Sequence, residues 1–335
     1  VLALTRRVAD SFVSREDPSS RARCGWEEAA LMQGLVATSA ATGNATYAAL
    51  AKAWSEAHSW TVCKADVILT ERDAANDMSC GQIYAELYLL DRNATYLRSI
   101  HTTLDALARR PQTDDWWWVD AYFMALPAFA RLGNITADGA LHDKGLALYR
   151  DSAIRRGLWS AEDGLYYRDE SYFNATTPAG APVFWARGNA WAIGAMARSL
   201  AFTPPTHPAH AVYSTQLRAL AAALAPLQGA DGMWRASLLD PQNPPNAEAT
   251  GTAGFAFGIA YGVNAGLLDA ATYRPIAEAA WRGLATLVHD DGFLGHCQPA
   301  GAHPEPAGPG DTSSFCVGLF LLAGSEVAKL ALHSK

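Results

Sequence analysis

The chain has 335 residues, half of them hydrophobic and 18% charged, with a net charge of −7. Such a composition suits a well-buried globular core. The acidic balance, without a basic run, excludes a nucleic-acid footprint, and no apolar run reaches the length that spans a bilayer. The length allows one large domain or two, and the repeat that runs through it favours a single domain over 1–335.

Hydrophobic periodicity is helical almost throughout. In chain order it predicts helices over residues 2–13, 26–42, 46–58, 77–91, 94–109, 117–132, 137–153, 185–200, 208–226, 252–268, 271–289 and 311–332. The even-numbered members are rich in Gly, Ala and aromatics, as in GWEEAALMQGL, WARGNAWAIGAMARSL and GTAGFAFGIAYGVNAGLL. Helices apolar all round are buried. The odd-numbered ones carry a charged face, as in LRSIHTTLDALARR. This is a repeat of one outer and one inner helix, roughly 50 residues long. Six inner helices ringed by six outer ones make an all-α (α/α)6 barrel; a linear solenoid of helix pairs is the alternative.

Long loops precede the inner helices at 157–184, 229–250 and 290–310. Long structured loops in a compact domain are usually functional. Each holds an Asp-Gly pair (Asp163-Gly164, Asp231-Gly232, Asp291-Gly292), which predicts a tight turn. All would decorate one end of the barrel.

Four of the nine asparagines lie in N-x-[ST] sequons: Asn44, Asn93, Asn134 and Asn174. The first three follow the ends of helical patterns, where a glycan is exposed. The expectation is a secreted glycoprotein. The chain opens Val1-Leu2-Ala3 without Met, which suits a leader removed or lying outside it. The five cysteines, Cys24, Cys63, Cys80, Cys297 and Cys316, contain no C-x-x-C pair, so the spacing gives no zinc cluster. They allow one or two disulfides, with at least one thiol left over and the pairing open. His296 and His303 flank Cys297, a weak spacing for a metal.

The stretch DDWWWVDAYFMALP, residues 114–127, places Asp120 near a helix start after Trp116 and its two neighbours. Indole walls strip water from a carboxylate, raise its pKa and favour the protonated form. A protonated Asp facing a sugar-sized aromatic pocket is built as a general acid. The alternative is a core Trp run beside a helix-start residue. Asp77, with Gly81 and Tyr84 on its face, is the natural carboxylate partner. In WARGNAW, Arg187 and Trp191 stand one helical turn apart, next to Trp185 and Asn189. An Arg between tryptophans suits recognition of a uronic acid, since Arg forks onto carboxylates; a cation–π contact in the core is the other reading. Trp26, Asp77, Asp120, Trp185, Arg187, Thr252 and Asp311 all fall at inner-helix N-termini, which converge on one mouth. Helix caps are the alternative for Asp77, Thr252 and Asp311. No GxSxG, HExxH, P-loop or GxGxxG is present in a suitable context.

The stretches WWWVDAYFMALPAFARL, FWARGNAWAIGAMARSL, GTAGFAFGIAYGVNAGLL and DTSSFCVGLFLLAGSEV resemble the unsaturated rhamnogalacturonyl hydrolases, glycoside hydrolase family 105, and DMSCGQIYAELY is similar to that family's Asp-x-x-x-Gly-Gln-x-Tyr segment. The resemblance runs from about Trp26 to residue 332. It implies a single (α/α)6 barrel with no metal or organic cofactor, and release of a 4,5-unsaturated uronic acid from lyase-generated oligosaccharides by hydration of its C4=C5 enol ether. Asp120 is then the proton donor and Asp77 lies in the same pocket, while Trp185, Arg187 and Trp191 hold the unsaturated sugar. Trp26 matches an aromatic of the first inner helix. Some members carry a substrate-facing His after the G-L-x-Y turn, where this chain has Arg168, so the leaving group stays open. The related unsaturated glucuronyl hydrolases, acting on glycosaminoglycan or ulvan fragments, and a non-catalytic oligosaccharide-binding protein are the competing readings.

Overall fold

The computed structural model describes residues 1–15, 24–64 and 74–331. In chain order the helices are α1 (Leu2–Arg15), α2 (Trp26–Thr42), α3 (Ala45–Ala57), the single turn α4 (Ala74–Asp77), α5 (Cys80–Asp91), α6 (Arg98–Arg109), α7 (Ala121–Thr136), α8 (Gly139–Arg150), α9 (Ala186–Leu200), α10 (Pro208–Leu224), α11 (Ala249–Asn264), α12 (Ala270–Ala285) and α13 (Ser314–Leu330). A two-stranded hairpin, β1 (Trp159–Ser160) and β2 (Leu165–Tyr166), precedes α9. Among the described residues no helix is long and apolar enough to cross a membrane.

Inner helices pack in sequence order, α2 on α5, α5 on α7, α7 on α9, α9 on α11 and α11 on α13; α13 then returns to α2. The last contact closes the ring and rules out the linear solenoid. It depends on glycine. A Cβ on Gly34 would lie 2.5 Å from the Gly318 carbonyl oxygen, and one on Gly318 would lie 2.2 Å from that of Ala30. Only glycine lets the two backbones approach so closely.

The outer layer follows the charged stripes. In α6 the buried residues Ile100, Thr103, Leu104 and Leu107 recur at helical spacing, as an amphipathic helix on a core requires. The outer helices lean on the ring: α1 on α2 and α13, α3 on α2 and α5, α8 on α7, α10 on α9 and α11, and α12 on α11 and α13. The result is the expected (α/α)6 barrel.

Some boundaries move for identifiable reasons. Residues 117–120 are not helical because their backbone pairs elsewhere: Trp118 bridges Asp169, and Val119 N–H donates to Arg168 O at 2.9 Å. The segment expected as 77–91 is broken after Asp77, whose carbonyl accepts from Cys63 N–H. Helix α11 starts three residues early because Glu248 accepts from Thr250 and Gly251 N–H. The last residue expected of α13, number 332, lies outside the described residues. The three Asp-Gly pairs are turns, their glycines at φ 67°, 81° and 84°.

The two ends of the barrel are capped differently. Four outer helices start on side-chain caps, Asn44, Asp138, His207 and Asp269 each accepting a backbone N–H of the first turn, and Asn93 caps the 3-10 turn Ala94–Leu97 that leads into α6. The inner helices α2, α7, α9 and α13 start without a side-chain cap. Free N–H groups therefore gather where these four inner helices begin. At the far end a buried ionic network ties the ring. Glu86 of α5 accepts from Arg131 of α7 and Arg198 of α9, and Arg198 Nε also donates to Gln82 Oε1 at 2.9 Å.

Candidate active site

Asp120 occupies the N-cap position of α7 but caps nothing. Its Oδ2 is buried without a hydrogen-bond partner, and Arg168 Nε approaches it to 3.7 Å. The hairpin explains that neighbour: β2 runs on into residues 167–169, which pair with 118–119 and set Arg168 beside Asp120. Burial raises the Asp120 pKa; Arg168 and then Arg187 pull it down, Asp169 pushes it up, and burial prevails. A carboxyl held this way is suited to keeping its proton.

Arg168 is held on three sides. Its Nη1 donates to Asp169 Oδ2 at 2.6 Å, and its guanidinium lies 5.0 Å from the Trp117 ring centroid. Asp169 is fixed in turn by the N–H and hydroxyl of Ser171.

Asp77 closes α4, which packs against α7, and just beyond it Gln82 of α5 ties that helix to α7, its Nε2 donating to the Phe123 and Met124 carbonyls. The two carboxylates thus come from neighbouring repeats and stand at the same end of the barrel. Asp77 Oδ2 lies 3.6 Å from Lys64 Nζ. A Cys24–Cys63 disulfide joins this segment to the start of α2, where Trp26 is half-buried against Phe315.

Trp185 and Arg187 hold a strap formed by residues 298–305. Trp185 Nε1 donates to Gln298 Oε1 at 2.8 Å; Arg187 Nη1 donates to the Gln298 and Pro299 carbonyls, and Nη2 to that of Gly301. Tyr172 hydroxyl donates to Ala302 O, and Cys297–Cys316 ties the strap's start to α13. Arg187 is buried between the Trp185 and Phe315 rings. The fork expected to grip a sugar carboxylate is occupied by main-chain oxygens, so the geometry makes Arg187 a clamp on the strap. Its Nε is buried without a partner.

Other expected contacts are not brought to the mouth. Trp116 is buried against Tyr122 and Phe129, on the core side of α7; Trp117 is the half-buried indole of the run. Asn189 exchanges both backbone hydrogen bonds with Tyr166 and also donates to Trp185 O, which uses its amide completely. Thr252 hydroxyl accepts from Trp234 N–H and faces Trp234 O. Trp191 is buried beneath Trp26, Phe123 and Phe315, so it supports Trp26 rather than offering a stacking face. Asp311 braces a turn through Gly308 N–H. Among the described residues, the group with metal-ligand spacing is Cys24, Cys63 and Cys80; two of these form the disulfide, and burial pushes the Cys80 thiol up to about 12.

A family model described as Glycosyl Hydrolase Family 88 matches residues 4–331. The chain belongs to glycosyl hydrolase family 88. Among proteins similar to this family 88 chain is an unsaturated 3S-rhamnoglycuronyl hydrolase of Formosa agariphila, 36% identical over 221 residues, 64% of this chain. That match spans 58% of the relative's own length. A family 88 glycosyl hydrolase structure from Bacteroides vulgatus is 30% identical, with a TM-score of 0.91 and 98% of both chains covered. A structure named as a polysaccharide lyase is 31% identical, with a TM-score of 0.92, covering 100% of this chain and 98% of that one. The likeness to unsaturated uronyl hydrolases seen in the sequence motifs is borne out.

Besides Asp169 and Lys64, two further residues of this region escaped the sequence reading. Glu248 caps α11 and lies within electrostatic reach of Arg187; its position just ahead of an apolar helix was the available signal. Tyr172 sits in the long loop before α9, where only contact with the strap shows its part.

Proposed function

We propose that this chain is an unsaturated uronyl hydrolase. It acts on lyase-generated oligosaccharides that end in a 4,5-unsaturated uronic acid linked to rhamnose, the type of linkage in the Formosa relative's name. The observation that carries this reading is Asp120: a buried carboxyl with a raised pKa, uncommitted to any cap, at the end of the barrel where inner helices begin. Asp120 protonates C4 of the enol ether, and oxocarbenium character develops at C5. Water, deprotonated by Asp120 or Asp77, adds at C5. The resulting hemiketal opens, and the rearranged sugar releases the aglycone. No displacement at C1 occurs, so carboxylate spacing carries no stereochemical rule here. Trp26, Trp117 and Arg168 are the partly exposed groups that line the sugar, with Trp185, Arg187 and Trp191 behind them.

The likeness to a protein named as a lyase supports a second reading, in which the double bond is made rather than consumed. Incubation with saturated and lyase-cut oligosaccharides separates the two. A hydrolase removes the ultraviolet band of the cut substrate, a lyase creates the band in the saturated one, and a binding protein changes neither.

The same proposal includes a single catalytic domain, secreted and N-glycosylated. Two disulfides support it, as does exposure of Asn93, Asn134 and Asn174, with half-buried Asn44 capping α3. A mass loss on glycan removal from the native protein tests it; an unmodified mass at all four sequons refutes glycosylation.

A further inference from the structure

Two guanidiniums lie within electrostatic reach of Asp120, and they are committed differently. Arg187 gives both terminal nitrogens to strap carbonyls. Arg168 is fixed at one terminal nitrogen by Asp169 and on its face by Trp117. Its Nε edge is left pointing at Asp120 Oδ2. At 3.7 Å the pair is longer than a hydrogen bond, and both atoms are buried without any other hydrogen-bond partner. A guanidinium and a carboxyl are therefore held close enough to interact and too far apart to hydrogen-bond. The Arg168 side chain keeps 17% of its surface exposed, so a ligand oxygen can reach it from the mouth.

We propose that Arg168 couples the substrate's own negative charge to the proton that Asp120 delivers. Resting on the hydrolase reading, the step is this: an anionic oxygen of the bound oligosaccharide pairs with the Arg168 guanidinium and offsets its positive charge at Asp120. Asp120 in the complex then keeps its proton to higher pH and passes it to C4. The water that adds at C5 gives one proton back to Asp120, directly or by way of Asp77, so the cycle balances.

The surrounding charges fix the sign. Arg168 and Arg187 favour the ionised carboxylate, whereas Asp169 opposes it; Tyr172 lies on the same loop. On the α4 side Asp77 is paired with Lys64, and on the α11 side Glu248 faces Arg187. Arg187 keeps its carbonyl partners throughout, so Arg168 is the charge that a ligand can cancel. A nearby positive charge favours the ionised carboxylate, and neutralising it favours the protonated one. The free enzyme therefore ionises Asp120 at lower pH than the substrate complex does.

The test is a pair of pH profiles on a lyase-generated uronyl-rhamnose disaccharide. The alkaline limb of kcat/KM reports the free enzyme and that of kcat the complex. Wild type is expected to show the kcat limb about 1–3 pH units above the kcat/KM limb, the range of one opposite charge at this distance. In Arg168→Gln the kcat/KM limb rises to meet the kcat limb, and Arg168→Lys restores part of the gap. Arg168→Met is a second neutral variant in case the Gln form does not fold. Coincident limbs in wild type, or an undiminished gap in the neutral variants, overturn the proposal. Absence of any turnover by wild type instead defeats the hydrolase reading. Repeating the profiles with sulfated and desulfated rhamnose locates the anion: a gap with both assigns the uronate carboxylate, and a gap with the sulfated substrate alone assigns the sulfate ester.

Discussion

Arg187 Nη1 donates to the Gln298 carbonyl at 2.9 Å, while the Gln298 side chain accepts from Trp185 Nε1 at 2.8 Å. Two residues two positions apart at the start of α9 thus hold both the main chain and the side chain of one strap residue. Arg187→Met keeps much of the volume and removes the donors, leaving three strap carbonyls without their partner. An unmade buried hydrogen bond costs about 1–3 kcal/mol. The expected result is a loss of roughly 2–4 kcal/mol in stability, with faster hydrogen exchange confined to 298–302. Unchanged exchange in the strap would mean that the clamp is not what holds it.

The Cys297–Cys316 disulfide closes a 19-residue separation and anchors the same strap. Replacing both cysteines by serine is expected to lower stability by about 2–4 kcal/mol. KM should rise more than kcat falls, because Tyr172 ties the strap to the loop that carries Arg168, a proposed sugar contact, and the strap does not hold Asp120. Denaturant unfolding and steady-state kinetics measure the two effects separately.

Asn189 distinguishes a framework residue from a ligand. Its amide is spent on Tyr166 and Trp185, buried on all sides. Asn189→Ala should cost about 2–4 kcal/mol through unpaired backbone groups, while the KM of the folded fraction stays near wild type. A large KM increase at unchanged stability would return Asn189 to the substrate.

Glu86 makes a pH-dependent contribution at the far end of the barrel. Burial pushes its pKa up, but Arg198 and Arg131 outweigh burial and hold it below the usual carboxylate range. A depressed folded-state pKa stabilises above the unfolded value, and that stabilisation is lost as pH falls through the folded one. Thermal unfolding from pH 6 downward should therefore show a steeper acid loss in wild type than in Glu86→Gln. Removing the buried partner should itself cost about 3–5 kcal/mol at neutral pH.

The barrel was legible because its two helix classes differ in composition: glycine-rich helices such as α11 can touch neighbouring backbones, whereas α6 carries one apolar stripe. Asp120 and Asp77 were legible as carboxylates placed where inner helices begin. What the periodicity could not carry was which polar atoms at that end were already engaged. Asn189 is bound by Tyr166, 23 residues away, and Thr252 by Trp234, 18 residues away. Tyr166 lies in the short hairpin and Trp234 in a loop, segments whose path no helical pattern specifies. Trp116 and Trp117 are adjacent in sequence and indistinguishable by type. The bridge at Trp118 decides that Trp117 stays half-exposed beside Arg168 while Trp116 enters the core.

The most direct measurement follows the ultraviolet band of a lyase-generated uronyl-rhamnose disaccharide with wild type and Asp120→Asn. Wild type is expected to abolish the band. The Asn variant keeps the shape but has no acidic proton, so it should be slower by at least the roughly 10²–10⁴-fold contribution of general acid catalysis, with its fold intact. Near wild-type turnover by a folded Asn variant would contradict Asp120 as the proton donor.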